Sequence, residues 1–105
     1  MTKITAIKPQ KNNANRVNIY LDGEFAAGLE MGVAAYLQVG QELSADKLAQ
    51  LQQRDEVEKA KESALNYLTY RPRSVAEVSK NLAKKGYSDT AVAEAITRLQ
   101  AGQLL

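Results

Sequence analysis

Residues 67–87 read Tyr-Leu-Thr-Tyr-Arg-Pro-Arg-Ser-Val-Ala-Glu-Val-Ser-Lys-Asn-Leu-Ala-Lys-Lys-Gly-Tyr. This stretch contains the signals that end one helix and begin another. Pro72 disfavours a helical conformation at the residue before it, so the preceding helix should end near Tyr70. Ser74 and Glu77 have the spacing of a capping box, which predicts that a second helix begins immediately after the serine.

The second helix of this stretch also has a predicted buried face and a predicted end. Val75, Val78 and Leu82 fall on one side at helical spacing. Gly86 supplies the left-handed residue that ends a helix, and Tyr87 can then pack back on Leu82 in a Schellman motif. We therefore predict a helix over residues 75–85.

The composition excludes several classes of site. The chain has 105 residues, with 45% hydrophobic and 25% charged side chains, as is typical of one small globular protein. It has neither cysteine nor histidine, which excludes disulfides, thiolate zinc sites and histidine-based catalysis. No glycine-rich phosphate loop is present, so we predict no enzyme activity, no cofactor and no small-molecule substrate. No apolar run approaches the roughly 18 residues of a membrane span, and we expect a cytoplasmic protein.

Charge is distributed unevenly along the chain. Residues 1–16 carry four bases and no acid, residues 17–62 carry nine acids and four bases, and residues 63–105 carry six bases and three acids. Two basic ends around an acidic middle are compatible with a negatively charged partner, either nucleic acid or an acidic protein. Solvated charge without a partner explains the same pattern.

The first third of the chain has a strong hairpin signal. Residues 16–21 alternate between apolar and polar, Asp22-Gly23 favours a two-residue type I′ turn, and residues 24–29 form the returning strand. The apolar positions expected on one face are Val17, Ile19, Leu21, Phe25, Ala27 and Leu29.

A third strand and a short helix complete this part. Residues 3–8 read as a strand that ends at Pro9, followed by a polar loop over residues 10–15. Together with the hairpin they predict a three-stranded antiparallel sheet, which needs a helix to cover it. A short helix is expected over residues 31–37, and residues 1–43 are predicted to form one subdomain.

A long segment without glycine or proline follows, from Ala45 to about Tyr70. Ser44 is its predicted N-cap. Leu48 and Leu51 form one apolar stripe, which should cover the sheet. A second stripe lies on roughly the opposite side and should pack on the helices after the proline: Val57, Ala60, Ala64, Leu65 and Leu68. Either the helix breaks near Arg54, or one long helix bridges two subdomains.

A last helix is predicted from Thr90 to Ala101, capped by Ser88 or Asp89 and followed by Gly102. Its apolar stripe is Val92, Ile96 and Leu99. Residues 55–101 therefore predict a three-helix repeat, and residues 44–105 a helical subdomain. The fold class is α+β.

The first candidate binding residues lie in the connection between the two helices, residues 70–73 (Tyr-Arg-Pro-Arg), which we call the proline elbow. Arg71 follows a helix C-terminus, where a cation is stabilised by the helix dipole. Arg73 precedes a helix N-terminus, where a cation is mildly unfavourable, so we interpret it as a binding residue with donors for carboxylate or phosphate. Tyr70 is predicted to be an exposed aromatic residue at an interface, whereas Tyr67 and Tyr87 are assigned to packing.

The other candidate binding residues are lysines of the helix predicted over residues 75–85. Lys80 and Lys84 share a face at i, i+4 spacing, and Lys84 and Lys85 lie in the last turn. A solvated helix end and a binding patch both explain them. Bases near the N-terminus are interpreted instead as a solvated sheet edge: Lys3, Lys8, Lys11 and Arg16.

The pattern Ala-Leu-x-Tyr-Leu-x-x-Arg-Pro-Arg-Ser-x-x-Glu-Val-x-x-x-Leu-x-x-Lys-Gly-Tyr at residues 64–87 resembles the first helical repeat of the RecX family of recombination regulators. Val-Asn-Ile-Tyr-Leu-Asp-Gly-Glu-Phe-Ala at residues 17–26 resembles the N-terminal hairpin of many members. The resemblance implies a modulator of the bacterial recombinase RecA, built from tandem three-helix repeats that bind the groove of the RecA–DNA filament. Such proteins act in DNA recombination, DNA repair and the SOS response, and some also bind DNA.

The resemblance implies a non-catalytic regulator of RecA. The partner-binding residues we predict are Tyr70, Arg71, Arg73, Lys80, Lys84 and Lys85. The alternative is a general nucleic-acid-binding module that acts through phosphate contacts, and a third reading is an interaction fragment with neither activity. The family usually continues beyond the position of Gly102 into further repeats, so we expect a truncated chain or a short homologue.

Overall fold

The computed structural model describes residues 2–105, which fold into a three-stranded sheet followed by four helices. The chain divides into two compact units, the first ending at Asp55 and the second beginning at Glu56. This architecture confirms the predicted α+β class. Its elements are β1 (Ile4–Gln10), β2 (Asn13–Leu21), β3 (Glu24–Glu30), α1 (Met31–Ala34), α2 (Ala45–Leu68), α3 (Val75–Lys84) and α4 (Asp89–Ala101).

The sheet is antiparallel and has the order β1-β2-β3. Asp22 and Gly23 connect the last two strands and both have positive φ, 49° and 84°. Positive φ at both central residues is the requirement of a type I′ turn, whose twist matches that of the flanking strands. The hairpin predicted from Asp-Gly is therefore confirmed.

A bulge in β3 contradicts one part of the predicted face. Ile19 pairs with Ala27 but Tyr20 pairs with Phe25, so Ala26 is an extra residue in β3. The bulge reverses the alternation at this point. Phe25 is consequently 59% exposed and does not share the buried face, so the prediction that it does was wrong.

Strand β1 continues further than predicted. It runs through Pro9 to Gln10, and the polar loop expected over residues 10–15 shrinks to a turn at residues 11–12. Pro9 lies opposite Val17 on an edge strand. An edge strand tolerates proline because only one of its sides takes part in the ladder.

The core of the first unit lies on one face of the sheet. Leu51 of α2 is buried in it, and Leu48 packs beside it, as the first stripe predicted. Helix α1 ends at Ala34, earlier than the expected Leu37. The buried members of this core are Ile4, Ile19, Ala27, Leu29, Val33, Ala34, Leu43 and Leu51.

Helix α2 is continuous from Ala45 to Leu68, so no break occurs near Arg54. Its N-cap is Ser44, whose Oγ accepts a hydrogen bond from the Lys47 N–H at 3.1 Å. Of the two alternatives left open by the sequence, the long helix is the one found.

Asp55 is a buried charge in the middle of that helix and does not start a new one. Its Oδ2 lies 3.0 Å from Nη2 of Arg16, and its Oδ1 accepts the Glu30 N–H at 2.8 Å. Both side chains of the pair are largely buried, with 16% and 7% exposure. The interpretation of Arg16 as a solvated edge residue was wrong, because this ion pair buries it.

The second unit has the predicted helix signals. Ser74 and Glu77 form a complete capping box. Gly86 has φ of 96°, its N–H bonds to the Ala83 carbonyl at 3.0 Å, and the Tyr87 N–H bonds to that of Leu82 at 3.3 Å. These two bonds define a Schellman motif.

The second core contains the second stripe of α2 from Ala60 to Leu68, together with α3 and α4. Val57, the first predicted member of that stripe, is buried but is not part of this core. The buried members of the core are Ala60, Ala64, Val78, Leu82, Val92, Ala95, Ile96 and Leu99. Val75 was predicted to share this face but is 40% exposed, because it lies at the start of α3, a turn before the first buried residue. Among residues 2–105 no helix combines the length and the apolar character needed to cross a membrane.

Candidate functional site

The elbow between α2 and α3 has a backbone that is fixed at both ends. At the end of α2, the Thr69 N–H bonds to the Leu65 carbonyl at 3.1 Å. At the start of α3, Ser74 Oγ accepts the Glu77 N–H at 3.1 Å, while Glu77 Oε1 accepts the Ser74 N–H at 3.2 Å. Because these hydrogen bonds fix the backbone on both sides of the elbow, its side chains start from defined backbone positions.

Arg71 and Tyr70 are the exposed side chains of this elbow. Arg71 Nη2 donates to Glu77 Oε2 at 3.0 Å and Nη1 donates to the Pro72 carbonyl at 3.1 Å, yet the side chain stays 56% exposed. Tyr70 is 82% exposed. Their positions are those of surface groups, and their role in partner binding stays a prediction.

The same contacts set the protonation of Glu77. Its pKa is lowered from the usual 4.5, first by the hydrogen bond from the Ser74 N–H and second by the bond from Arg71. Both interactions favour the ionised carboxylate. Glu77 therefore holds both the Ser74 backbone and the Arg71 side chain by hydrogen bonds. Its negative charge neutralises part of the positive charge of Arg71.

Arg73 has a structural explanation that the sequence argument missed. Its guanidinium carbon lies 3.9 Å from the centre of the Tyr67 ring, and its Nη1 lies 4.0 Å from Glu77 Oε2. The side chain is only 15% exposed. Its Nε is buried and has no hydrogen-bond partner within residues 2–105. The argument from the helix dipole omitted these two contacts, which stabilise Arg73 within the folded chain, and its role in partner binding stays a prediction.

A cleft of about 320 Å³ lies against α3 and brings together two of the predicted lysines. Its lining residues are Tyr67, Glu77, Lys80, Asn81 and Lys84. Both lysines are exposed, whereas Asn81 is partly buried. The Oδ1 atom of Asn81 is buried without a hydrogen-bond partner in the described part of the chain.

Three members of the cleft were not singled out from the sequence as binding residues: Glu77, which was predicted only as part of the capping box, Tyr67 and Asn81. Tyr67 was assigned to packing, and it does pack on the second core, but its ring also lines the cleft. Asn81 carries no signal of its own. Its i, i+4 relation to Glu77 on the same helix could have indicated a shared face.

Lys85 differs from its neighbour Lys84. Its Nζ donates to Ser63 Oγ on α2 at 2.7 Å, and it does not line the cleft. Consecutive residues on a helix are about 100° apart around the axis, so two adjacent lysines cannot share one face. The structure brings Lys80 and Lys84 together and turns Lys85 elsewhere.

The chemistry of the cleft is suited to binding anions. It offers two ammonium groups, a phenol, an amide and one carboxylate that already bonds Arg71. Ammonium and guanidinium groups bind carboxylates and phosphates through charge-assisted hydrogen bonds. Among residues 2–105 no group of three or more histidine, cysteine or acidic side chains is placed to hold a metal ion.

Comparison with known proteins gives consistent matches over both units. The family model for the regulatory protein RecX N-terminal domain matches residues 2–44, and the model for the RecX first three-helix domain matches residues 60–99. The regulatory protein RecX of Bacillus licheniformis is 41% identical over 102 residues, which are 95% of this chain and 39% of that protein. That of Bacillus subtilis strain 168 is 40% identical over 101 residues, 94% of this chain and 38% of that protein.

A solved structure gives the same result for the fold. A crystal structure of regulatory protein RecX superposes with a TM-score of 0.81 at 31% identity, covering 100% of this chain and 52% of that one. The chain thus spans about two fifths of the length of the curated relatives it matches.

Proposed function

This chain belongs to the RecX family, and from that premise we propose that it is a regulatory protein that binds the RecA–DNA filament and modulates DNA recombination and repair. It acts by binding and performs no catalysis of its own. The family name and the two matched domains support the regulatory role. The surface proposed to bind the filament is the elbow and the adjoining cleft of the second unit.

The observation that carries the proposal is the pair Lys80 and Lys84 on the rim of one cleft. Two like charges at i, i+4 on a helix repel each other by roughly 0.2–0.5 kcal/mol, so folding does not favour the pair. A carboxylate or phosphate bound between the two ammonium groups reverses that repulsion. An acidic surface of the filament therefore gains more from this pair than from two separate lysines.

Each remaining member of the predicted set has a proposed role. Arg71 and Tyr70, both exposed, contact the partner beside the cleft. Arg73 is a positioning residue, since it holds the Tyr67 ring that lines the cleft. Lys85 adds positive charge from a neighbouring position.

The experiment measures RecA ATPase on single-stranded DNA in the presence of this chain, together with co-sedimentation of the chain with the filament. We expect the chain to lower the ATPase rate. The double variant Lys80→Ala, Lys84→Ala should bind the filament about tenfold more weakly, because close charge pairs at interfaces contribute on the order of 1 kcal/mol or more.

The matched control removes the same charge elsewhere. Lys3→Ala with Lys47→Ala deletes two exposed lysines of the first unit and should leave filament binding close to that of the wild type. If both double variants lose binding equally, the effect is one of net charge and the site assignment fails.

Two measurements distinguish the proposed RecA regulator from the alternative function, a nucleic-acid-binding module that acts through phosphate contacts. Such a module binds DNA without RecA, and its affinity falls steeply with salt, with a slope of about −0.7 per phosphate on single strands. A chain that needs the filament and shows weak salt dependence contradicts that alternative.

A further inference from the structure

The bases of residues 63–105 differ in whether the chain itself supplies their partner. This segment carries six bases. Four of them contact an acidic or hydroxyl side chain: Arg71, Arg73, Lys85 and Arg98. Among residues 2–105 no such contact is made by the other two, Lys80 and Lys84, and both line the cleft against α3. The two cations that folding leaves without a counter-charge therefore meet at one site.

The cleft residues of α3 form a single stripe along the helix. They are spaced i, i+3, i+4 and i+7, which places them on one face: Glu77, Lys80, Asn81 and Lys84. Seven steps of about 1.5 Å give the stripe a length of roughly 10 Å. Tyr67 of α2 lines the same cleft, and the Arg73 guanidinium stacked on its ring holds it in place. A bound group therefore meets ammonium groups, an amide and an aromatic ring together.

Asn81 shows what else the cleft lacks. Its Oδ1 is buried and has no hydrogen-bond partner among residues 2–105. A buried acceptor without a donor is unfavourable, because it has lost its bond to water without gaining another. The side chain as a whole is only partly buried and lines the cleft, so a turn of the amide brings this oxygen to a bound group. The site thus needs a hydrogen-bond donor as well as an anion.

This double requirement favours a polypeptide over a phosphate backbone. A phosphodiester group has acceptor oxygens only, so it can neutralise the two lysines but leaves the Asn81 oxygen unpaired. A peptide segment that contains an acidic residue has a carboxylate and main-chain N–H donors close together. In a helix those N–H groups are already bonded within the segment, whereas an extended segment leaves alternate ones free.

We propose that the cleft binds an extended acidic segment of a protein partner. An aspartate or glutamate carboxylate bridges Lys80 and Lys84, a neighbouring main-chain N–H donates to Asn81 Oδ1, and an apolar side chain packs on the Tyr67 ring. The cleft volume of about 320 Å³ lies at the lower end of the usual range for binding pockets, which suits a few residues of one segment. This inference rests on the proposed function, since it takes the protein component of the filament, and not its DNA, as the occupant of the cleft.

Nuclear magnetic resonance of the ¹⁵N-labelled chain tests the inference without RecA. The probe is a peptide rich in glutamate and leucine, of about twelve residues and roughly 40 Å when extended. The side-chain amide resonances of Asn81, identified by their absence in Asn81→Ala, should shift and saturate as this peptide is added. The same peptide with glutamine in place of every glutamate should bind about tenfold more weakly, because its side chains are neutral.

Variants separate the contributions of the individual groups. Lys80→Ala with Lys84→Ala should weaken binding of the acidic peptide about tenfold, and Asn81→Ala about threefold. Gln100→Ala, which removes an exposed amide of α4 outside the cleft, should change it by less than about twofold. Asn81→Ala deletes an unpaired buried acceptor, so its urea midpoint should not fall, and weaker peptide binding by this variant is then not a result of unfolding.

Three results would overturn the inference. Equal affinity for the glutamate and glutamine peptides would remove the role of the carboxylate. Asn81 resonances that respond to a dT oligonucleotide and not to the acidic peptide would make the cleft a phosphate site. Unchanged peptide affinity in Asn81→Ala would remove the role of the donor.

Failure of this inference is distinguishable from failure of the proposed function. A chain that sediments with the filament through Lys80 and Lys84 but ignores the acidic peptide refutes only the acidic segment. A chain that binds the peptide in the cleft but never sediments with the filament refutes the proposed function and supports the ligand chemistry.

Discussion

Arg73 and Tyr67 should be energetically coupled, and a double-mutant cycle measures that coupling. The perturbations are Arg73→Met, which removes the charge and keeps a long apolar side chain, and Tyr67→Leu, which removes the aromatic face. We expect a coupling free energy of about 1–2 kcal/mol between the two positions.

The magnitude follows from the geometry. The guanidinium carbon is 3.9 Å from the ring centre, well inside the roughly 6 Å limit of a cation–π contact, and only 15% of the side chain is exposed. Shielding from water places the contact in the upper half of the usual range of about 0.5–2 kcal/mol. The Glu77 carboxylate, 4.0 Å away and exposed to solvent, adds little to this contact. Burying the Nε of Arg73 without a hydrogen-bond partner costs about 1 kcal/mol, which offsets part of the gain from the stack. Arg73→Met alone should therefore lower the free energy of unfolding by only about 1 kcal/mol.

The assay is urea denaturation followed by far-UV circular dichroism, which reports on the helices. Arg71→Met is the matched control, because it makes the same chemical change at an arginine that is 56% exposed. Arg71→Met removes only a solvent-exposed ion pair, and no coupling to Tyr67 is expected there.

Additivity is the result that would refute the reasoning. Independent sites add to within about 0.3–0.5 kcal/mol, so a coupling below that value would mean that the stack contributes nothing. The position of Arg73 before a helix N-terminus would then again lack an explanation from folding. That position would again favour its interpretation as a partner-binding residue.

Three further predictions concern stability. Asp55→Ala should lower the free energy of unfolding by about 3 kcal/mol, because it leaves the largely buried Arg16 guanidinium without its carboxylate; a loss below about 1 kcal/mol in urea denaturation would contradict the buried pair. Gly86→Ala should cost about 1 kcal/mol through backbone strain alone, since φ is 96° and no atom lies within 4 Å of the added Cβ; Gly102→Ala, at φ of −84°, is the control, and equal melting temperatures would contradict the argument. Glu77→Gln tests the lowered carboxyl pKa: a group whose pKa is lower in the folded chain stabilises it above the unfolded value of 4.5, and this contribution is lost as pH falls through the folded pKa. The wild type should therefore be more stable than the variant near neutral pH, and thermal unfolding should show that difference shrinking below pH 4.5; a difference independent of pH would argue against it.

Features that depend on a few adjacent residues were predictable from the sequence. The Asp22-Gly23 turn, the Ser74 capping box and the Gly86 helix end each follow from the local φ or hydrogen-bonding needs of the residues involved. The two apolar stripes of α2 were likewise visible, because helical periodicity assigns each residue to a face.

Features that depend on distant residues were not predictable in this way. Asp55 finds its partner Arg16 at a separation of 39 residues, and no local pattern encodes that pair. The bulge that turns Phe25 outward is a property of strand register, which alternation alone does not specify. Arg73 looked misplaced because the helix dipole was considered without the Tyr67 ring. Of the six predicted binding residues, Lys80 and Lys84 line the cleft, and the role of all six in binding stays a prediction.

The connection between α3 and α4 has a bearing on how sequences of this kind can vary. Gly86 ends one helix, the Tyr87 N–H bonds back to that helix, and Ser88 caps the next one while its N–H and Oγ both bond to Glu56. Each of residues 86–88 makes a hydrogen bond that ends one helix or begins the next, so none of them only fills the distance between the helices. Insertions or deletions should therefore be rare here during evolution, and a peptide tag or a new terminus would be poorly tolerated at this point. The hydrogen bonds of this link therefore constrain its length as well as its side chains.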